Sequence, residues 1–498
     1  MTSEATTKTG AAPGAGHSVG PILISRGASG GVHLVDIVLV RPADRPAPDL
    51  TLSDAGAGGD TEGPVEAECL ASLFASKVWR YRIKAPVEAA ISYRIEGRTY
   101  RIAPCGTADL RIAYVSCNGQ EDGDLDRPLE ERDVMWMRLA EEHTRDPFAL
   151  ICEGGDQLYA DDVLDCHPDI SAWEEAPEED RGTLPLSAEA REAVRRFYFE
   201  RYAITYTRPA MAALSAEVPA AMMWDDHDIF DGWGSHAEPV LDGPIGRGLF
   251  EAAREMFLLF QLGVGGTDLP ANFHDPSGES LGYTLDFPGL RLVVPDMRSE
   301  RRPTRVMGPK GWAGFEAAMR GAPPETRILV MSSVPVMGPR LSWLEFVADH
   351  VPKARDYEDD LRDQWQSRTH RDEWKRMLTT IAETQENRPN RVTLLSGEIH
   401  LATRGEMKLK DRSLVHQLVS SGISHRAPPK AYALVLTLLA RLGESPLPGR
   451  KIRMHRMPSA HTIYVEERNY MILARDGSDW SAVWDLEDQG RTDRLSLA

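Results

Sequence analysis

An α/β layered fold preceded by a small antiparallel β domain is what the sequence predicts, and three observations carry that expectation. Residues 21–104 are rich in alternating strand patterns broken by Gly and Pro, as in "HLVDIVLV" and "KVWRYRIKAPVEAAISYRIEGRTYRI". From about residue 108 the pattern changes to short apolar runs, each ending in polar residues, with helical stretches between them. The chain has 498 residues, more than one compact core usually holds, so two domains are expected.

Taken in order, residues 1–20 are small and polar and read as a disordered lead-in. Within the β domain, "RPADRPAPDLTLSDAGAGGDTEGP" reads as a long loop. The second domain, residues 105–498, has strand candidates in "RIAYVSCNG", "FALICEGGDQLYAD", "PAAMMWDDHDIFDGWGSH", "LRLVVPDMRSERR", "TRILVMSSVPVMG" and "RVTLLSGEIHLATRG". Helices are predicted over 187–203, with Ser187 as N-cap, and over 356–385, where Leu361, Trp365, Trp374, Leu378 and Ile381 recur at helical spacing. The most apolar run, "AYALVLTLLA" at 431–440, reads as a buried or interfacial helix. Where strands alternate with helices, functional groups gather at the strand ends on one side of the sheet.

Charge and composition narrow the function. With 76 acids against 57 Lys and Arg, the net charge is −19, which argues against a broad grip on nucleic acid or an anionic membrane and leaves room only for a local basic patch. No apolar run approaches the roughly 20 residues that span a bilayer. The N-terminal residues show neither an apolar signal core nor twin arginines, so a cytoplasmic protein is expected. Five cysteines without CxxC spacing do not make a disulfide framework or a zinc knuckle. P-loop, GxSxG and HExxH motifs are absent, and "GVGGTD" does not fit GxGxxG.

Four strand ends carry metal-binding residue types: Cys117 in "VSCNG", Asp156 and Tyr159 in "GGDQLYADD", Asp225, Asp226, His227 and Asp228 in "WDDHD", and Glu398 and His400 in "SGEIH". Each has an ordinary reading alone, a small buried thiol or a turn aspartate. The three acids around His227 repel one another unless something positive lies close by.

In order and company these pieces, with Asp296 and Arg298 in "DMRSERR", resemble the alkaline phosphatase D (PhoD-like) family of binuclear metallophosphoesterases, over residues 105–425. The resemblance implies a layered β-sandwich flanked by helices. It also implies hydrolysis of small anionic phosphate esters, as a phosphatase or phosphodiesterase, by a metal-activated water. It implies Asp156 as a bridge between two metals, with Cys117, Tyr159 and His400 binding Fe(III) at the first site. Asp226 and Glu398 would bind Ca, Mn or Mg at the second, with Zn as a further choice. His227 would act on the phosphoryl group or leaving oxygen. Arg298 would pair with an acid of the "WDDHD" loop, and Arg404 would be either a phosphate clamp or a structural ion pair. Glu398 stands where the family has Asp, and Ser332 and Ser333 stand where metallophosphoesterases commonly have a His. Those two departures leave a second reading, a non-catalytic binding or regulatory protein of the same fold, and a third, a metallohydrolase of non-phosphate esters. Residues 425–457 hold seven Lys and Arg against Glu444, which is either a solvated face or a basic lip beside the metals.

Overall fold

Apolar runs bounded by turns form parallel strands here because strands buried on both faces need near-continuous hydrophobic sequence. The protein is described by a computed structural model over residues 16–54, 63–266, 269–338, 364–441 and 443–497. It is a mixed α/β structure with three sheets and, among the described residues, eleven α-helices.

In the largest sheet, Leu110–Val115, Leu150–Gly154 and Ala220–Met223 run parallel. Asn469–Asp476 and Asp479–Leu486 continue the sheet antiparallel on one side. On the other side Val19–Ser29 joins in parallel, Ile24 opposite Ala220, and leads into the antiparallel Val32–Pro42, Ser76–Pro86 and Ala67–Leu73. The N-terminal strands are thus antiparallel among themselves, as expected, and continuous with the central sheet. The expected loop at 41–64 contains a strand, Leu50–Asp54, which pairs with Ile91–Ile95 and, through it, Arg98–Ile102 in a separate three-stranded sheet. Its "LTLSD" alternation is short and sits among Pro and Asp, so the flanking turn residues masked it.

The second sheet has eight strands, of which Leu290–Val294, Arg327–Ser332, Arg391–Ser396 and Leu414–Val419 are mutually parallel. One apolar core takes residues from both large sheets, including Ile112, Ile151 and Ala221 from one and Leu292, Val330 and Leu394 from the other. Helix Ala188–Tyr206 starts as expected, with Ser187 Oγ accepting the Ala190 N–H at 3.1 Å. The helix expected over 356–385 begins at Arg371 and ends at Glu386; it buries Trp374, Leu378 and Ile381, while Trp365 precedes it and Leu361 lies outside the described residues.

This topology brings the carboxyl ends of both sets of parallel strands together. Cys117 N–H donates to the Gly155 carbonyl (3.2 Å), Ile423 N–H to the Ser116 carbonyl (3.0 Å), and Gly397 N–H to the Ser333 carbonyl (2.9 Å). Close approach at the junction demands glycine: Gly155 has φ +105°, and a Cβ there would stand 2.9 Å from the Asp225 Cβ. Gly155→Ala should lower unfolding free energy in urea by about 1–3 kcal/mol through backbone strain and this clash. An unchanged midpoint would show that the junction can relax.

Candidate metal centre

The strand ends present their functional side chains from strained backbone. Four of the ten described non-glycine residues with positive φ are Cys117 (56°), Asp156 (55°), Glu398 (64°) and His400 (54°). Such conformations cost free energy in L-residues and persist where the surroundings enforce them. Here the enforcement is a set of hydrogen bonds. Asp228 Oδ2 accepts the N–H groups of Asp156 and Asp225 (2.9 Å each), and its Oδ1 accepts those of Leu158 and the Gln261 amide (3.1 Å each). Ser421 Oγ donates to Cys117 Sγ at 3.1 Å and accepts the His400 N–H at 2.9 Å.

Two groups of side chains result, with Asp156 common to both. In the first, the Cys117 thiol lies 3.4 Å from Asp156 Oδ2, and the Tyr159 hydroxyl is 3.1 Å from His400 Nε2. In the second, carboxylate oxygens of Asp156, Asp225 and Asp226 all lie within 4.8 Å of one another. Burial, and then the neighbouring charges, push the Asp156 carboxyl, the Cys117 thiol and the Tyr159 phenol well above their ordinary pKa values. Burial, and then His425, pushes His400 well below the ordinary imidazole value. Asp156 Oδ1 is buried without a hydrogen-bond partner. Three acids this close, a buried orphan oxygen, a thiol, a phenol and a neutral imidazole suit a cation set with both softer and harder sites. These residues suit metal binding, and Glu398 is not among the three acids of the carboxylate group.

Glu398 is bound at both oxygens by the Gln364 amide, at 2.9 and 2.8 Å, and its charge acts on Cys117. His227 is held by Asp161, with Nδ1 3.1 Å from both carboxylate oxygens, and stacks on Tyr159 with centroids 4.4 Å apart. Burial alone would lower its pKa, but Asp161 and then Asp226 outweigh that, and His227 titrates well above the ordinary value. Arg298 is fully buried under the "WDDHD" loop, paired with Asp225 and, at 3.1 Å, with Asp226, and it also donates to the Trp233 carbonyl. Ser333, at the strand end where a His was looked for, donates to Asp225 Oδ1 at 2.8 Å.

Arg404 binds Glu406 (3.2 Å) and the Arg456 carbonyl (2.9 Å). Register separates the residues of the basic stretch. Arg404, near the site, pairs with His455, whereas Lys451 lies opposite Lys408 at the far end of that strand. Arg450 is half of an ion pair with Glu386 at the end of its helix. The acids of "ICEGGDQLYADD" also divide: Asp161 serves His227, Asp162 pairs with Arg201, and Glu153 is a buried carboxyl pushed up to about 8 beside Tyr206. Asp156 alone among them joins the shared cluster.

Two site residues escaped the sequence reading. His425 stacks on His400 with ring centroids 3.4 Å apart, and its Nε2 is 3.1 Å from Glu121 Oε2. Glu121 Oε1 also lies 3.7 Å from His227 Nε2. The available signal was position, since "SSGISH" follows the apolar strand Leu414–Val419 as the other motifs follow theirs.

The sequence profile of the PhoD related phosphatases matches residues 126–358. Over those residues the chain is similar to that family. That is the family to which the motifs pointed. A solved structure titled "Structure of PhoD" superposes with a TM-score of 0.59, covering 99% of this chain and 94% of that one; at 12% identity this is a likeness of fold. An uncharacterized protein of Saccharomyces cerevisiae, YGR266W, is 24% identical over 457 residues, 73% of this chain and 64% of that protein. The chain therefore spans less than two thirds of that relative's length.

If Arg298 acts by holding the acids of this loop, Arg298→Met should destabilise the fold by about 3–5 kcal/mol, because two buried carboxylates lose their partner. Arg298→Lys should not restore it, since a compact ammonium lacks the planar fork that spans Asp225, Asp226 and the Trp233 carbonyl. Denaturant unfolding of both variants makes the check, and a Met variant as stable as the parent would show that the pairing is dispensable.

Proposed function

We propose that the protein hydrolyses phosphate esters at a binuclear metal centre in a metallophosphoesterase-type layered sandwich. The observation that carries this reading is Asp156: its carboxylate is shared by a thiol–phenol–imidazole group and a carboxylate group, and one oxygen is buried with no partner. Cys117, Tyr159, Asp156 and His400 would hold Fe(III), and Asp156, Asp226 and Glu398 would hold Ca, Mn or Mg. Metals bound there would supply Lewis acidity, charge neutralisation for an anionic ester, and a water of lowered pKa.

The protein's own groups do the remaining work. Asp161 engages His227 Nδ1, so Nε2, with Glu121 and Asp231 at 3.7 and 3.9 Å, is the nitrogen that would place a proton on the leaving oxygen. Stacking on Tyr159 fixes the plane of that ring. Glu121 stands beside both His227 and His425. Arg298, Asp228 and Ser333 orient the acids and do not reach substrate. Small anionic phosphate esters are the substrate class, and the departures at Glu398 and Ser333 leave the non-catalytic reading as the alternative that experiment must exclude.

Asp156→Asn should lose bound metal, measured by elemental analysis, together with essentially all release of phosphate or alcohol from a monoester and a diester assayed in parallel. Activity within tenfold of the parent would make Asp156 a turn residue. His227→Ala should keep most metal while kcat falls by about 10²–10⁴; loss of all metal would make it a ligand instead. The metal-replete parent should absorb visible light through thiolate or phenolate charge transfer to iron, and colourless, iron-free, fully active protein would refute the iron assignment.

A further inference from the structure

Helix Lys430–Ala440 follows directly on the loop that carries His425, and its sequence "KAYALVLTLLA" has no charge between its ends. One face packs against Leu401, Ile463 and Tyr464 through Ala433, Leu436 and Ala440, with Ile399 alongside. Ile399 and Leu401 flank His400, so the helix is fastened to the wall of the candidate metal centre. The opposite face is apolar too and lies in solvent: Leu434 is 60% exposed, Leu438 53% and Val435 42%. Three such side chains at i, i+1 and i+4 form one contiguous stripe, unlike scattered single exposed leucines.

The charges around the stripe identify what would cover it. Lys430 opens the helix and Arg441 caps its end, both exposed, and the Lys451 side chain passes beside Gly443 at that same end. Among the described residues, none of these three cations meets a carboxylate. In a chain of net charge −19 this is an unusual concentration of unpaired positive charge, and acids more than about 8–10 Å away are screened from a surface bound there. Leucines between cations are the composition of a helix that lies in a membrane interface. At 11 residues the helix is about 16 Å long, well short of a bilayer's hydrocarbon thickness of about 30 Å. No helix among the described residues is long and apolar enough to cross a membrane.

We propose that the outer face of helix Lys430–Ala440 docks the protein on an anionic lipid surface, seating Leu434, Val435 and Leu438 among the acyl chains while Lys430, Arg441 and Lys451 meet the headgroups. The docking does not depend on the hydrolytic reading.

The full chain would be sedimented with vesicles of phosphatidylcholine alone and of phosphatidylcholine mixed with phosphatidylserine. Binding should be strong only to the mixed vesicles and should weaken with salt. Combined Leu434→Ser, Val435→Ser and Leu438→Ser should lower partitioning at least about tenfold with the thermal unfolding midpoint unchanged. Lys430→Ala with Arg441→Ala should remove the dependence on phosphatidylserine; these sites lie outside the core, so this variant keeps the test decisive if the triple variant misfolds. Failure to sediment with either vesicle overturns the proposal, as does equal binding by parent and variants. One further outcome also overturns it: a dimer in solution that the triple variant splits.

Discussion

Three backbone N–H groups from two different strand ends converge on the Asp228 carboxylate, and the centre depends on that convergence. The turn after Leu150–Gly154 can hold Asp156 at positive φ because its N–H and that of Leu158 have a fixed acceptor. The turn after Ala220–Met223 is tied to the same atoms through Asp225. One buried side chain thus sets the separation of Asp156 from Asp225 and Asp226 before any cation is considered. Gln261 fills the remaining acceptor capacity, so the carboxylate is satisfied inside the protein and stays out of the cluster it organises.

The acids near the centre sort by what compensates them. Asp225 and Asp226 have Arg298, Asp161 has His227, Glu121 has His425, and Asp228 has amides. Asp156 is buried among like charges and is left with one unpartnered oxygen. A protein interior tolerates that only if the group is neutral or a cation is supplied. The uncompensated position therefore marks where metal binding energy and folding energy meet.

What the sequence disclosed was local. Each motif is a strand followed at once by its chemistry, so Cys117, Asp156, Tyr159, Asp226, Glu398 and His400 could be read from an apolar run and the residues after it. The partnership of Glu121 with His425 could not, because it joins loops from two sheets and no spacing encodes it. Composition likewise reports how many cations the basic stretch holds but not the register of Arg450–His455 against Thr403–Lys408, which carries Arg450 and Lys451 to the far end. The strand Leu50–Asp54 was hidden because its partner, Ile91–Ile95, lies beyond two intervening strands, and pairing stabilised what propensity alone did not announce.

The order in which the large sheet acquires its strands has a consequence for biosynthesis. Leu110–Val115 has Leu150–Gly154 as a neighbour soon after it is made, but its other neighbour is Asn469–Asp476, with Met471 opposite Tyr114. Until residues 469–476 have left the ribosome, the "LRIAYV" edge is an apolar strand with unpaired backbone groups, an invitation to pair with another nascent copy. The strand that leads to Cys117 is thus the last of the parallel set to be enclosed. A chain stalled or cleaved before residue 469 would keep every proposed metal ligand and still present an adhesive sheet edge, so the yield of folded protein is governed by contacts far in sequence from the chemistry.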